Sequence, residues 1–191
     1  MIMLNIWQRD PKWRHTLIGK SKTEIGEAGC LICALCDLWS KFHYGPKQKI
    51  YLRPDEASKE WIFGVLRDSD GNIIDKEPKY LYWAQTDFDG MQFVWRNYGY
   101  NPTGLIEDPE TGLIEIESEL IRKYLNSSNY GVVFRVVTKS GGEHWVAGWK
   151  WNIFGKPTCL DPWTKKTLWI PWGFGGTYVR CTGWAVLKKT D

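Results

Sequence analysis

Cys30 is the residue best placed to act as a nucleophile. It follows Gly29 and opens an apolar run, residues 30–42, with Gly26 just upstream and Gly45-Pro46 shortly after it. A run of that length, free of Gly and Pro and carrying Ala and Leu, predicts a buried helix with Cys30 in its first turn. The N-terminal end of a helix favours negative charge, and the thiolate is the reactive form of cysteine. Cys33 and Cys36 lie deeper in the run, and free cysteine is commonly a core residue, so these two read as packing.

A thiol nucleophile needs a base, and the chain has 3 histidines. His15 lies in a polar loop beside Arg14, and His43 ends the first helix, where a cation is favoured. His144 instead follows Gly141-Gly142-Glu143 and opens the strand 144–151, in which residues 144, 146, 148 and 150 share one side. An imidazole at a glycine-flanked strand entrance can reach across to a helix mouth. Asp161 ends the next short strand, and two antiparallel neighbours of this length can bring it beside His144. A carboxylate there would hold the imidazole in one tautomer and stabilise its cation. Asp161-Pro162 is also an ordinary turn start.

Two metal readings compete with this one. The Cys30, Cys33, Cys36 spacing resembles part of an iron–sulfur ligand run, with Cys159 or Cys181 as the missing ligand. No fourth cysteine follows at the expected distance, and the segment reads as continuous helix. Residues 68–75 resemble a calcium loop, but Gly71 is fourth where such a loop needs its glycine sixth, and no glutamate stands at the twelfth place. A tight turn is the simpler reading, and neither metal nor cofactor is expected.

The elements that must position these groups follow from pattern. Residues 1–29 read as an ordered arm and loop. A second helix is expected over 54–66, with Pro54 at its start and apolar side chains at 57, 61, 62, 65 and 66. Strands are expected at 80–84 and 91–95 and a helix at 117–126. From there the chain reads as β-structure over 132–137, 144–151, 158–160, 168–172 and 178–187, with glycines and prolines between. Helices first and strands afterwards predict an α+β domain spanning 1–191. A hydrophobic content of 43% suffices for one core, and the 13 tryptophans are expected to be core or groove-lining, with a carbohydrate-stacking surface as the alternative. The net charge of +3 is spread over short pairs such as Lys47 and Lys49, so nucleic acid is not an expected partner. No run approaches the ~20 apolar residues of a membrane span.

The opening then carries a further signal. Trp7-Gln8-Arg9-Asp10-Pro11-Lys12-Trp13, Leu17-Ile18-Gly19-Lys20-Ser21 and Thr23-Glu24-Ile25-Gly26-Glu27-Ala28-Gly29-Cys30 resemble the start of papain-like peptidases related to the bacteriocin-leader (double-glycine) peptidases. The later order is similar too: a helix, a paired-valine strand, Gly142-Glu143-His144-Trp145-Val146, then Asp161-Pro162. The resemblance spans most of the chain and is thinnest over 65–115. It implies a papain-like fold, with a central helix packed on a C-terminal antiparallel sheet. It also implies that Gln8 supplies a side-chain amide to an oxyanion hole completed by the Cys30 N–H. Asn152 is the rival to Asp161, since similar sites also use asparagine. Leu31-Ile32-Cys33 stands where related sequences carry smaller, more polar residues.

The expected activity is therefore hydrolysis of peptide or isopeptide bonds by Cys30, His144, Asp161 and Gln8 through an acyl-enzyme. The partner would be a peptide or protein substrate. Cleavage of peptidoglycan is the enzymatic alternative, and a papain-like binding module without catalysis is the other. The N-terminus lacks the features of a signal peptide and the 5 cysteines are odd in number. A cytosolic, reduced protein is expected, with export and virion association left open.

Overall fold

The computed structural model describes residues 5–43, 51–68, 70–81, 88–98, 115–169 and 178–190. Its centre is a six-stranded antiparallel sheet in the order β3-β8-β4-β5-β6-β7. These strands are β3 (Met91–Tyr98), β4 (Tyr130–Thr138), β5 (Glu143–Trp151), β6 (Pro157–Asp161), β7 (Lys166–Trp169) and β8 (Tyr178–Lys189). Among the described residues, four helices accompany them: α1 (Ile25–Ala28), α2 (Cys30–His43), α3 (Pro54–Glu60) and α4 (Glu115–Leu125). A separate hairpin joins β1 (Phe63–Arg67) to β2 (Ile73–Leu81). The α+β expectation holds.

The central strands have two buried faces, because a helix covers each side of the sheet. On β4, Val133 faces the layer of α2, while Val132, Phe134 and Val136 face that of α4. The same alternation sends Ala147 and Trp149 of β5 toward α2 and Val146 toward α4. This is why the sequence here reads as runs of apolar residues rather than a clean polar alternation. Gly148 lets α4 approach: a Cβ there would lie 2.8 Å from both Leu125 Cδ2 and Phe134 Cε2.

Burial on nearly every side explains the apolar character of α2. Ile32, Cys33, Ala34, Leu35, Cys36 and Leu38 are all buried. Several tryptophans bury area while giving the indole N–H an acceptor. Trp39 donates to the Asp89 carbonyl and Trp61 to the Asp89 carboxylate, each at 2.7 Å. Trp13, also buried, donates to the Trp7 carbonyl at 2.8 Å.

The expected helix over 54–66 is corrected. It stops at Glu60, Trp61 is already extended, and Phe63–Arg67 is a strand paired with β2. The apolar positions counted as one helical face divide instead: Ala57 and Trp61 enter the core, whereas Ile62 is exposed. Gly64, Val65 and the aromatic Phe63 disfavour helix and suit a pleated ribbon. The suspected calcium loop is the turn of this hairpin, in which the Asp68 carboxylate accepts the N–H groups of Asp70 and Asn72. Of the strand expected at 80–84, residues 82–84 lie outside the described residues, as do 170–172 of the strand expected at 168–172. Among the described residues, no helix is long and apolar enough to cross a membrane.

Candidate active site

The site lies at one end of the sheet, where the first residue of α2 meets the start of β5. Cys30 holds that first helical place, and its thiol lies beside the His144 imidazole, each group shifting the ionisation of the other. Gly29 makes the junction between α1 and α2 possible. A Cβ at this position would sit 2.6 Å from Ile25 Cγ2 and 2.7 Å from the Ile25 carbonyl. The glycine is therefore needed for close approach, and its φ of −81° is one that any residue adopts.

His144 is buried and its Nε2 lies 2.8 Å from Asp161 Oδ1. The Cys30 thiol acts on the same imidazole. Asp161, also buried, is held in turn: its Oδ1 accepts the Trp163 N–H at 2.9 Å and its Oδ2 accepts the Thr164 hydroxyl at 2.6 Å. Asn152 does not take part. It closes the turn at the far end of β5, where its Oδ1 accepts the N–H groups of Phe154 and Lys156. Of the two candidate orienters, Asp161 is the one bonded to His144.

The electrostatics follow from these contacts. Burial works against charge on all three groups, and the partners overcome it. For Cys30, burial raises the pKa, but the His144 hydrogen bond and charge, with N–H donors from Trp145 and Leu31, bring it below the ordinary thiol value. For His144, burial lowers the pKa, but Asp161 and Cys30 push it up to about 9. Asp161 is held below the ordinary carboxylate value despite its burial, by His144, Thr164 and the Trp163 N–H. The row therefore favours a thiolate beside an imidazolium.

Gln8 reaches the same cleft from the N-terminal arm. It is buried, donates its side-chain amide to the Gly26 carbonyl at 3.3 Å, and donates its backbone N–H to the Pro162 carbonyl at 2.8 Å. The arm is anchored just before Gln8: Ile6 donates its N–H to the Asp37 carboxyl group at 2.9 Å, and Trp7 its indole N–H to the Trp163 carbonyl at 3.2 Å. The Cys30 N–H, at the start of the helix, falls among the donors that have no acceptor within it. Gln8, Cys30 and His144 all line one cleft of about 1100 Å³, one wall of which is the β1–β2 hairpin. Phe63, Leu66 and Leu81 give that wall its apolar surface, and Arg67, Asp68 and Lys79 its charged groups.

The remaining sequence candidates separate from the site. His15 pairs with Glu24 at 2.9 Å, and His43 stacks on Trp39 with ring centroids 4.2 Å apart. Cys33 and Cys36 belong to the core between α2 and the sheet, whereas Cys159 and Cys181 belong to the core on its other side. The sheet thus lies between the cysteines that an iron–sulfur cluster would have to join. Trp163, exposed on the cleft wall, has the Arg9 guanidinium 3.6 Å above its ring, which occupies a face that a sugar would need. Thr164, Asp37 and the hairpin wall were not singled out from sequence. Only Thr164 had a local signal, as a hydroxyl three residues after an aspartate in a turn.

No family model, no curated protein and no solved structure matches this chain.

Proposed function

We propose that this chain is a papain-like cysteine hydrolase, cleaving peptide or isopeptide bonds in a peptide or protein substrate. The observation that carries the reading is the row Cys30, His144, Asp161, in which Asp161 hydrogen-bonds the imidazole and the Cys30 thiol lies on a cleft that His144 and Gln8 also line. Sequence order and a helix-plus-antiparallel-sheet frame are compatible with it.

The chemistry divides among these groups. The Cys30 thiolate attacks the carbonyl carbon, and negative charge develops on the carbonyl oxygen. The Gln8 amide and the Cys30 N–H donate to that oxygen. The His144 imidazolium gives its proton to the leaving amine, and the neutral imidazole then takes one from the water that releases the acyl group. Asp161 keeps the ring in one orientation and favours its cation throughout.

Three assays separate this reading from its alternatives. The folded chain is incubated with a protein or peptide mixture and, separately, with murein sacculi, and new amines are measured. Amine release from protein, abolished in Cys30→Ala, supports the peptidase. Release from murein alone identifies a peptidoglycan hydrolase with the same machinery. Iodoacetamide at about pH 6 provides the third arm, since an activated thiolate alkylates quickly there and an ordinary thiol does not. Slow alkylation with no amine from either substrate would overturn the proposal in favour of a binding module.

A further inference from the structure

Beside the nucleophile lies a second thiol that amide hydrolysis does not use. Cys33 is the fourth residue of α2, fully buried, and one helical turn from Cys30. Residues three apart on a helix are side-chain neighbours, with Cα atoms ~5 Å apart by the helix rise and radius. That separation falls within the range a disulfide spans. Cys30 also acts electrostatically on Cys33, as near neighbours do. Cys36 lies a turn deeper, and Cys159 and Cys181 lie across the sheet, so Cys33 is the thiol within reach.

The two differ in environment as an attacking and a resolving thiol should. Cys30 is half-buried on the cleft, at the helix N-terminus and beside His144. Cys33 is sealed from solvent, and burial pushes its thiol well above its ordinary value. A soluble oxidant therefore meets Cys30 first.

We propose that Cys30 and Cys33 form a reversible disulfide that switches the nucleophile off under peroxide and protects it from irreversible oxidation. In the first step the Cys30 thiolate attacks one oxygen of hydrogen peroxide. An S–O bond forms, the O–O bond breaks, and hydroxide leaves and takes up a proton as water. The sulfur loses two electrons and the peroxide gains them, giving a sulfenic acid. In the second step the Cys33 sulfur attacks the Cys30 sulfur. The S–S bond forms, the S–O bond breaks, and the hydroxyl leaves with the Cys33 proton as a second water. A small dithiol reverses the product by exchange. Without Cys33, a second peroxide would carry Cys30 to the sulfinic acid, which a thiol cannot reduce.

The proposal rests on a reactive Cys30 thiolate and not on amide hydrolysis, so the test reads sulfur chemistry directly. The reduced, folded chain is treated with a several-fold molar excess of hydrogen peroxide and then denatured. Free thiols are alkylated with N-ethylmaleimide, and fragment masses locate every sulfur. The wild type is expected to show a Cys30–Cys33 link, to lose alkylation at both positions, and to regain it after dithiothreitol. Cys36→Ala should behave alike, and Cys33→Ala should accumulate a dithiothreitol-resistant sulfinic acid at Cys30. Sulfinic acid at Cys30 of the wild type with Cys33 still alkylatable, or a link between other cysteines, would overturn the switch. Those results leave the hydrolase reading intact. A Cys30 inert to both peroxide and iodoacetamide would defeat both. Should Cys33→Ala fail to fold, the wild-type fragment map decides alone.

Discussion

His144 and Asp161 meet because of strand register: Ala147 pairs with Leu160 and Gly148 with Cys159, so Asp161 comes level with Val146, two residues from His144 on the same side. The 2.8 Å contact between them is therefore set by the sheet and not by a mobile loop. A side chain fixed in this way loses little further freedom when the imidazole becomes charged.

The first consequence is a bell-shaped pH dependence of kcat/KM. The rising limb follows ionisation of the Cys30 thiol, below its ordinary value, and the falling limb follows loss of the His144 proton near about 9. Because the two groups interact, both limbs belong to the pair. Asp161→Asn removes the carboxylate that favours the imidazolium, so the alkaline limb should move to lower pH. The expected loss of kcat/KM is on the order of 10²-fold, below the ~10⁴ typical of serine triads, because a thiol ionises more readily. An Asp161→Asn profile with an unmoved alkaline limb would contradict this account of the pair.

Gln8 offers a sharper separation of roles. As an oxyanion donor it acts in the transition state and leaves the ionisation of the sulfur alone. Gln8→Ala should lower kcat by roughly 10²- to 10³-fold with little change in KM. The iodoacetamide rate at Cys30 should stay at the wild-type level. A variant that loses both activity and alkylation would place Gln8 among the groups that merely hold the fold.

Gly29→Ala tests the junction on which Cys30 depends. The added Cβ meets the side chain and carbonyl of Ile25, which is fully buried and has no room to yield. Overpacking of this kind costs about 1–3 kcal/mol. At about 2–4 °C per kcal/mol for a chain of this size, a thermal melt should fall by several degrees. Alkylation of Cys30 should slow as the first turn of α2 shifts. An unchanged melt with full alkylation would show that the junction relaxes freely.

How much of this was legible depended on whether a signal was local. Cys30 at a helix mouth and His144 at a strand entrance could be read because Gly29 and Gly142 mark both boundaries. Asp161 was legible as the end of a short strand, but its preference over Asn152 was not, since register decides it and register is a long-range property. The hairpin wall was misread because Ala57, Trp61, Ile62, Val65 and Leu66 mimic helical spacing across a helix stop. Asp37 gave no signal at all: a lone acid in an apolar helix has meaning only once the N-terminal arm lies over it.

That acid makes the last prediction. Asp37 is fully buried, and burial raises its carboxyl well above its ordinary value, with the Ile6 N–H only partly offsetting this. Raised in the folded state, the group keeps its proton there at a pH where the unfolded chain has released it. Its stabilising contribution is thus complete below the unfolded value, ~3.9, and declines as pH rises toward the folded value. Asp37→Asn keeps an oxygen for the Ile6 N–H and has no proton to lose. Urea midpoints measured from about pH 4 to pH 7 should show the variant gaining on the wild type as pH rises, by about 1.4 kcal/mol for each unit separating the two pKa values. Asp37→Ala removes the acceptor altogether, so it should destabilise at every pH and, by loosening the arm that carries Gln8, also lower kcat. Parallel wild-type and Asp37→Asn curves would mean that the carboxyl ionises in the folded chain as readily as in the unfolded one, contrary to its burial.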